Sequence, residues 1–317
     1  MRFSASAFVL RLLLSACVAL ALALPLALPL ALPNTAQAAH KAKAPDKRGI
    51  LLVAFGTSVP EAASAIDALK QQAEAAFPGI PVRLAYSSRI IRDKIARENP
   101  GDAGAVKRSP AQVLADMAAE GFTEVAVQSL HAIPGREYSD IKATAEAFQA
   151  MPKGIKKVSV GRPLLYGHAD IARAAEAILL SLPKHKKGEA VLLMGHGTDH
   201  PANAAYAALQ LALWKQDRSV FIATVEDTPG LDEIIPTLKG QGVRLAHLVP
   251  LMSVAGDHAL NDMAGPDKDS WASRLKAAGI ASTPVLVGLG SRPAVAQLWI
   301  DHLRDAVQDL STKELGD

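Results

Sequence analysis

From Gly49 onward the chain alternates short apolar runs with longer amphipathic ones. The short runs are Ile50 to Phe55, Val82 to Tyr86, Glu124 to Leu130, Lys157 to Gly161, Ala190 to Gly195, Val220 to Val225, Arg244 to Leu251 and Pro284 to Gly288. Their length and nearly unbroken apolar character predict strands covered on both faces. Between them, Ala62, Ile66, Leu69, Ala73 and Phe77 keep a helical spacing, as do Val295, Leu298, Trp299, Leu303, Ala306 and Leu310 near the end. Strands and helices alternating in this way predict an α/β protein with parallel, doubly wound sheets.

The pattern also repeats. A shift of 141 positions (51 to 192) lays Leu51, Leu52, Gly56, Thr57, Pro60 and Ala63 on Leu192, Leu193, Gly197, Thr198, Pro201 and Ala204. A shift of 121 (130 to 251) lays Leu130 and Gly135 on Leu251 and Gly256. Two echoes in the same order argue for an internal duplication. The expectation is two similar α/β domains, 49–183 and 188–290, joined through the polar stretch Lys184 to Gly188, with 291–317 as a final helix and tail. Ligands in such folds collect at the carboxyl ends of parallel strands, which directs attention to a cleft between the two domains.

Composition changes the picture at the N-terminus. Residues 1–38 hold Arg2 and Arg11, no acid, an apolar stretch from Leu12 to Leu32, and Ala36-Gln37-Ala38 as an A-x-A cleavage site, the outline of a secretory signal. Leu14 to Cys17 resembles a lipobox, but Arg11 interrupts the apolar stretch before it and the residues after it stay apolar. Cleavage after Ala38 leaves 279 of the 317 residues, with 39–48 as a solvated linker, and removes two of the 34 basic residues and the one cysteine. What remains carries 32 basic and 31 acidic residues and no thiol. That excludes a disulfide scaffold, a zinc finger, an iron–sulfur cluster and a cysteine nucleophile. Near-neutral charge gives no electrostatic case for nucleic acid. No later stretch is apolar for long enough to be a second span, so the expected product is soluble and periplasmic, with no stable membrane anchor after cleavage.

Candidate chemistry clusters at the predicted strand ends of the second half. These read Gly195-His196-Gly197-Thr198, then Val225-Glu226-Asp227 with Pro229-Gly230, then Gly256-Asp257-His258 with Asn261-Asp262-Met263. Singly, each fits a helix cap or a solvated turn residue as well as a site. Together they place His196, Glu226 and His258 on one rim of one sheet. Two imidazoles and a carboxylate without thiolate suit a borderline divalent cation such as Co, Ni, Fe or Zn, and the imidazoles titrate near neutral pH and so accept protons. Other motifs fail. His196 to His200 lacks the glutamate of a metalloprotease helix, and the chain has no nucleophile elbow, Walker A lysine or dinucleotide fingerprint.

These residues resemble the class II tetrapyrrole chelatases, and within them the sirohydrochlorin cobaltochelatases of the CbiK type. The likeness runs over nearly the whole chain after the leader. It rests on Leu52 to Ser58, Ser88 to Ile91, Gln128 to His131 with Gly135 and Glu137-Tyr138, Met194 to Thr198, Glu226-Asp227, and Gly256 to Gly265. The resemblance implies a lyase-type chelatase of cobalamin biosynthesis that inserts Co²⁺ into sirohydrochlorin. It implies His196 as metal ligand and proton acceptor, with Glu226 and His258 as the other metal ligands. The metal ion is then a substrate, Co²⁺ favoured with Fe²⁺ as the alternative. Arg89, His131 and Arg136 are candidates for holding the macrocycle, the arginines toward its carboxylates, and a homo-oligomer is expected. An exported chain departs from a cytoplasmic pathway. Two alternatives therefore stand beside the enzyme: a periplasmic carrier of metal, haem or another tetrapyrrole on a chelatase fold, and a ferrochelatase acting on sirohydrochlorin or a porphyrin.

Overall fold

The computed structural model describes residues 46–312. The expected leader, most of the linker and residues 313–317 of the tail lie outside the described residues. In chain order the elements are β1 (Arg48–Ala54), α1 (Pro60–Ala76), β2 (Val82–Tyr86), α2 (Arg89–Glu98), α3 (Pro110–Ala119), β3 (Glu124–Ser129), α4 (Arg136–Ala150), β4 (Lys157–Gly161) and α5 (His168–Ser181). There follow β5 (Glu189–Gly195), α6 (Ala204–Trp214), β6 (Val220–Thr224), α7 (Leu231–Gly240), β7 (Leu245–Pro250), α8 (Trp271–Ala277), β8 (Ala281–Pro284) and α9 (Pro293–Ser311). Arg48, the last position of the expected linker, is already strand.

All strand pairs are parallel, in two sheets ordered β2-β1-β3-β4 and β6-β5-β7-β8. The orders are the same under the duplication, and the shifts of 141 and 121 carry β1 onto β5 and β3 onto β7 residue for residue. The turn chemistry repeats too. The Thr57 hydroxyl accepts the Val59 amide at 3.1 Å and the Thr198 hydroxyl accepts the His200 amide at 3.2 Å, each on the way into a proline-led helical turn.

Period-two alternation sorts the strands into layers. Ile50, Leu52 and Ala54 of β1 join Val191 and Leu193 of β5 in one continuous core with α1, α5, α6 and α9. Leu51 and Val53 turn the other way, onto α3 and α4, and Leu192 and Met194 turn onto α7 and α8. The inner faces of the two sheets therefore share a single core, and the described chain forms one compact unit. Trp299 lies wholly buried in it. Its helix, α9, follows the second sheet in sequence but packs on β3 and β4 of the first. His302 fastens it there. Its Nε2 lies 3.1 Å from Asp170 of α5, and Asp170 also accepts from Arg162 at 3.1 Å.

The eighth strand is displaced from its expected position. β8 is Ala281–Pro284, paired to β7 from Leu245 to Leu248, whereas the sequence pattern placed it at Pro284 to Gly288. Pro284 has no N–H to donate and ends the strand. The apolar residues after it serve tertiary packing instead. Val285 lies against the shared core, and Gly288 passes so close to Val254 that a Cβ there would stand 2.6 Å from its backbone. Among the described residues no helix is long and apolar enough to cross a membrane.

Candidate active site

The strand ends of both sheets open on one cavity of about 350 Å³. The second half contributes His196, Gly197, Thr198, Tyr206, Glu226, Met252, Asp257 and His258, and the first contributes Phe55, His131, Ile133, Arg136 and Glu137. Five of the six sequence-derived candidates thus line a common space. Arg89 is the exception. It is exposed in the first turn of α2, where the Ser88 hydroxyl caps the helix, and is not among the cavity residues.

His196 and His258 meet edge to face, with ring centroids 4.7 Å apart and an interplanar angle of 89°. His196 Nδ1 lies 3.0 Å from the Gly197 carbonyl and 3.8 Å from Glu226 Oε2. His258 Nδ1 lies 2.6 Å from Asp262 Oδ2, across the short π-helical turn Ala259–Met263. Both acceptors demand a proton on Nδ1, so we assign the Nδ1–H tautomer to both rings, which leaves each Nε2 with a free lone pair. Metal-ligating histidines are commonly oriented in this way by a carbonyl or carboxylate behind the ring. Among the described residues, no group of three or more His, Cys, Asp or Glu side chains stands at the spacing that holds a metal ion.

Backbone contacts bring Glu226 beside His196. The Glu226 amide donates to the His196 carbonyl at 2.8 Å, and Gly197, at φ +82°, passes so near that a Cβ would lie 1.5 Å from the Glu226 carbonyl oxygen. Only glycine fits both demands. The acidic pair divides. Glu226 faces the cavity, while the Asp227 carboxylate accepts the Thr228 amide at 2.8 Å.

The opposite wall is built differently. By the duplication shifts Phe55 occupies the place of His196, and Glu137 that of His258. His131 ends β3 there. The Ser129 hydroxyl accepts the His131 amide at 3.3 Å and lies 2.9 Å from Nδ1, while Nε2 stands 4.0 Å from Glu137. Burial pushes its pKa down to about 4, and burial also lowers that of His302, with Asp170 acting in the opposite sense. The His131 ring is therefore neutral in the fold, whereas the unfolded chain takes up its proton as pH falls through about 6.5. Unfolding binds this proton below that value, so the stability His131 contributes is complete above pH ~6.5 and is lost as pH falls toward 4. For His131 it is on the order of 3 kcal/mol. Urea unfolding of the His131→Gln variant between pH 7.5 and 4.5 is expected to give a flatter stability profile than the parent. Parallel profiles would refute this account.

Sequence reasoning missed Tyr206 and Asn203. The Tyr206 ring lies under Gly195, where a Cβ would stand 2.8 Å away, and it packs beneath the His196 turn. Asn203 accepts the Thr198 amide at 3.2 Å and donates to the Thr228 carbonyl at 2.7 Å, tying the His196 loop to the Glu226 loop. A side chain that bridges two loops has no periodic signature. Phe55 was missed as well, although the 141-position shift puts it at the position equivalent to His196.

A duplicated parallel α/β fold with its cavity at the strand ends is the architecture of the chelatases. SirB from Bacillus subtilis with Fe³⁺ superposes with a TM-score of 0.55 at 15% identity, over 84% of this chain and 98% of that one. The sirohydrochlorin chelatase SirB of Bacillus subtilis subspecies spizizenii in complex with cobalt gives 0.51 at 14%, over 83% and 96%. At such identities the likeness is one of fold. Sequence goes further: the chain belongs to the CbiK cobalt chelatase family, whose profile, described as Cobalt chelatase (CbiK), matches residues 48–308. The sirohydrochlorin cobaltochelatase CbiKC of Nitratidesulfovibrio vulgaris is 42% identical over 265 residues, 83% of this chain and 92% of that protein. That of Salmonella typhimurium is 37% identical over 262 residues, 82% and 97%.

Proposed function

We propose that the protein is a chelatase that inserts Co²⁺ into sirohydrochlorin, with His196, Glu226 and His258 handling the metal. The observation that carries the metal role is the pair of imidazoles at 4.7 Å, each with Nδ1 engaged by an acceptor and Glu226 alongside. Neutral imidazole and carboxylate bind borderline divalent cations without the strong retention of thiolate. A site that must release its ion needs that property.

Insertion exchanges one Co²⁺ for two pyrrole N–H protons. The ion arrives hydrated, trades water for the Nε2 lone pairs and the Glu226 carboxylate, and passes to the macrocycle nitrogens. Passing it on frees the His196 lone pair, which then accepts one departing proton. Glu226, with its side chain 63% exposed, takes up the other and returns it to solvent. No change of oxidation state is required.

Purified protein mixed with sirohydrochlorin and Co²⁺ is expected to change the macrocycle's absorption well faster than the uncatalysed control, and faster with Co²⁺ than with Fe²⁺. Stoichiometric binding of metal or haem without acceleration would replace the enzyme with a carrier. We further infer export to the periplasm from the basic start, the apolar stretch and the A-x-A site in residues 1–38. The mass of the protein in the periplasmic fraction is then that of a chain starting at Ala39, and recovery of the uncleaved chain from the cytoplasm would overturn the inference.

A further inference from the structure

Two ion pairs cross the rim of the cavity, each with its cation on the first half and its anion on the second. Arg136, in the first turn of α4, holds Asp199 at 3.3 Å, and Lys94 of α2 holds Asp257 at 3.7 Å. Arg136 and Asp257 both line the cavity, and the 121-position shift makes them equivalent positions of the duplication. The two halves therefore present opposite charges at the same place on facing rims.

Three observations bear on what these pairs do. Arg136 and Asp199 are 68% and 85% exposed, so water screens their attraction, and exposed pairs of this kind hold weakly. The cavity, at about 350 Å³, is at the low end of the roughly 300–1,000 Å³ that encloses drug-sized ligands. A tetrapyrrole with acidic arms is larger than such ligands, so its arms must reach the rim. Finally, α2 carries Arg89, Arg92, Lys94 and Arg97 against Asp93 and Glu98, and the Arg92 Nε is buried without a hydrogen-bond partner.

We propose that the Arg136–Asp199 and Lys94–Asp257 pairs form a carboxylate-exchange latch: carboxylates at the edge of the macrocycle displace Asp199 and Asp257 from the two cations, parting the rims as the substrate enters. This rests on the reading of the cavity as a tetrapyrrole site and makes Arg136 and Lys94 its determinants of specificity for acidic macrocycles. Arg136 meets Asp199 through one nitrogen, 3.3 and 3.5 Å from its two carboxylate oxygens, and a carboxylate arm gives the guanidinium fork a partner for two nitrogens instead. Asp199 and Asp257, in turn, neutralise these two cations until an acidic ligand arrives.

The test is the affinity of the full chain for sirohydrochlorin and for its methyl ester, read from macrocycle fluorescence without metal, so that the result does not depend on insertion. Arg136→Gln and Lys94→Gln are expected to weaken binding of the acid about tenfold each. Asp199→Asn is expected to tighten it about threefold, and to have no effect in the Arg136→Gln background. The ester is expected to bind all variants alike. Equal affinities across the variants for the acid, matching losses with the ester, or weaker binding by Asp199→Asn would overturn the latch while leaving the tetrapyrrole site standing. Failure of the parent protein to bind either macrocycle would overturn the site and the latch together. Thermal midpoints within a few degrees of the parent confirm that each variant is folded.

Discussion

His196→Ala is expected to slow Co²⁺ insertion by about 10² to 10⁴, the range over which a positioned proton acceptor contributes. On the proposed reading the same change also removes a metal ligand, so the loss is expected to fall on kcat rather than on the KM for the macrocycle. If His258 is the second metal ligand proposed above, His258→Ala is expected to share the metal defect, its Nδ1 being engaged by Asp262 at 2.6 Å. The His196 side chain is 41% exposed, so its removal leaves the core unchanged and the thermal midpoint near that of the parent. Steady-state kinetics with a parallel melting curve separates the two effects. A variant that retains more than a tenth of the parent rate would remove His196 from the reaction.

The second large effect is expected from a residue with no side chain. Gly197→Ala meets two obstacles. Its φ of +82° is left-handed, which for an L-residue costs about 1–2 kcal/mol, and its Cβ would fall 1.5 Å from the Glu226 carbonyl oxygen. Backbone stands on both sides of the contact, so relief requires the His196 and Glu226 loops to part. The expected outcome is a loss of about 3 kcal/mol or more of stability together with most of the insertion activity. Gly121→Ala is the control, because Gly121 has φ +81° and nothing within 4 Å of the added carbon. It is expected to show only the conformational cost and to keep full activity. Equal destabilisation of the two variants would mean that the close approach at Gly197 carries no weight.

These residues show how far the sequence is readable. Ile50 to Ala54 and Val191 to Met194 announce strands because a run apolar on both faces is a local property, and β2 and β4 fall where the pattern placed them. The repeat was readable as well, since a duplicated strand and turn keep Gly56 and Gly197, both at positive φ, at one spacing. The strand ends pointed to His196, Glu226 and His258 for the same reason. In a parallel sheet the loops after successive strands share one edge.

Pairing across long sequence separations was not readable. The pattern of α9 predicts a helix with an apolar face but says nothing of which sheet that face meets. Only the folded chain carries it back to β3 and β4 and fastens His302 to Asp170. Arg89 and Lys94 look equivalent as cations on α2, yet Lys94 reaches Asp257 and Arg89 is exposed and not among the cavity residues. The apolar Val285 to Val287 resemble a strand, but pairing with β7 ends at Pro284, opposite Leu248, and Val285 packs against the shared core. By itself the sequence determined the duplicated parallel architecture, the family and the residue types at the site, because periodicity and turn chemistry act over a few residues. The tertiary structure decided the tautomers of the two histidines, the contact between Gly197 and Glu226 and the charges facing each other across the rim. Each of those depends on two segments meeting, and hydrophobic patterning leaves the choice of partner open until the core closes.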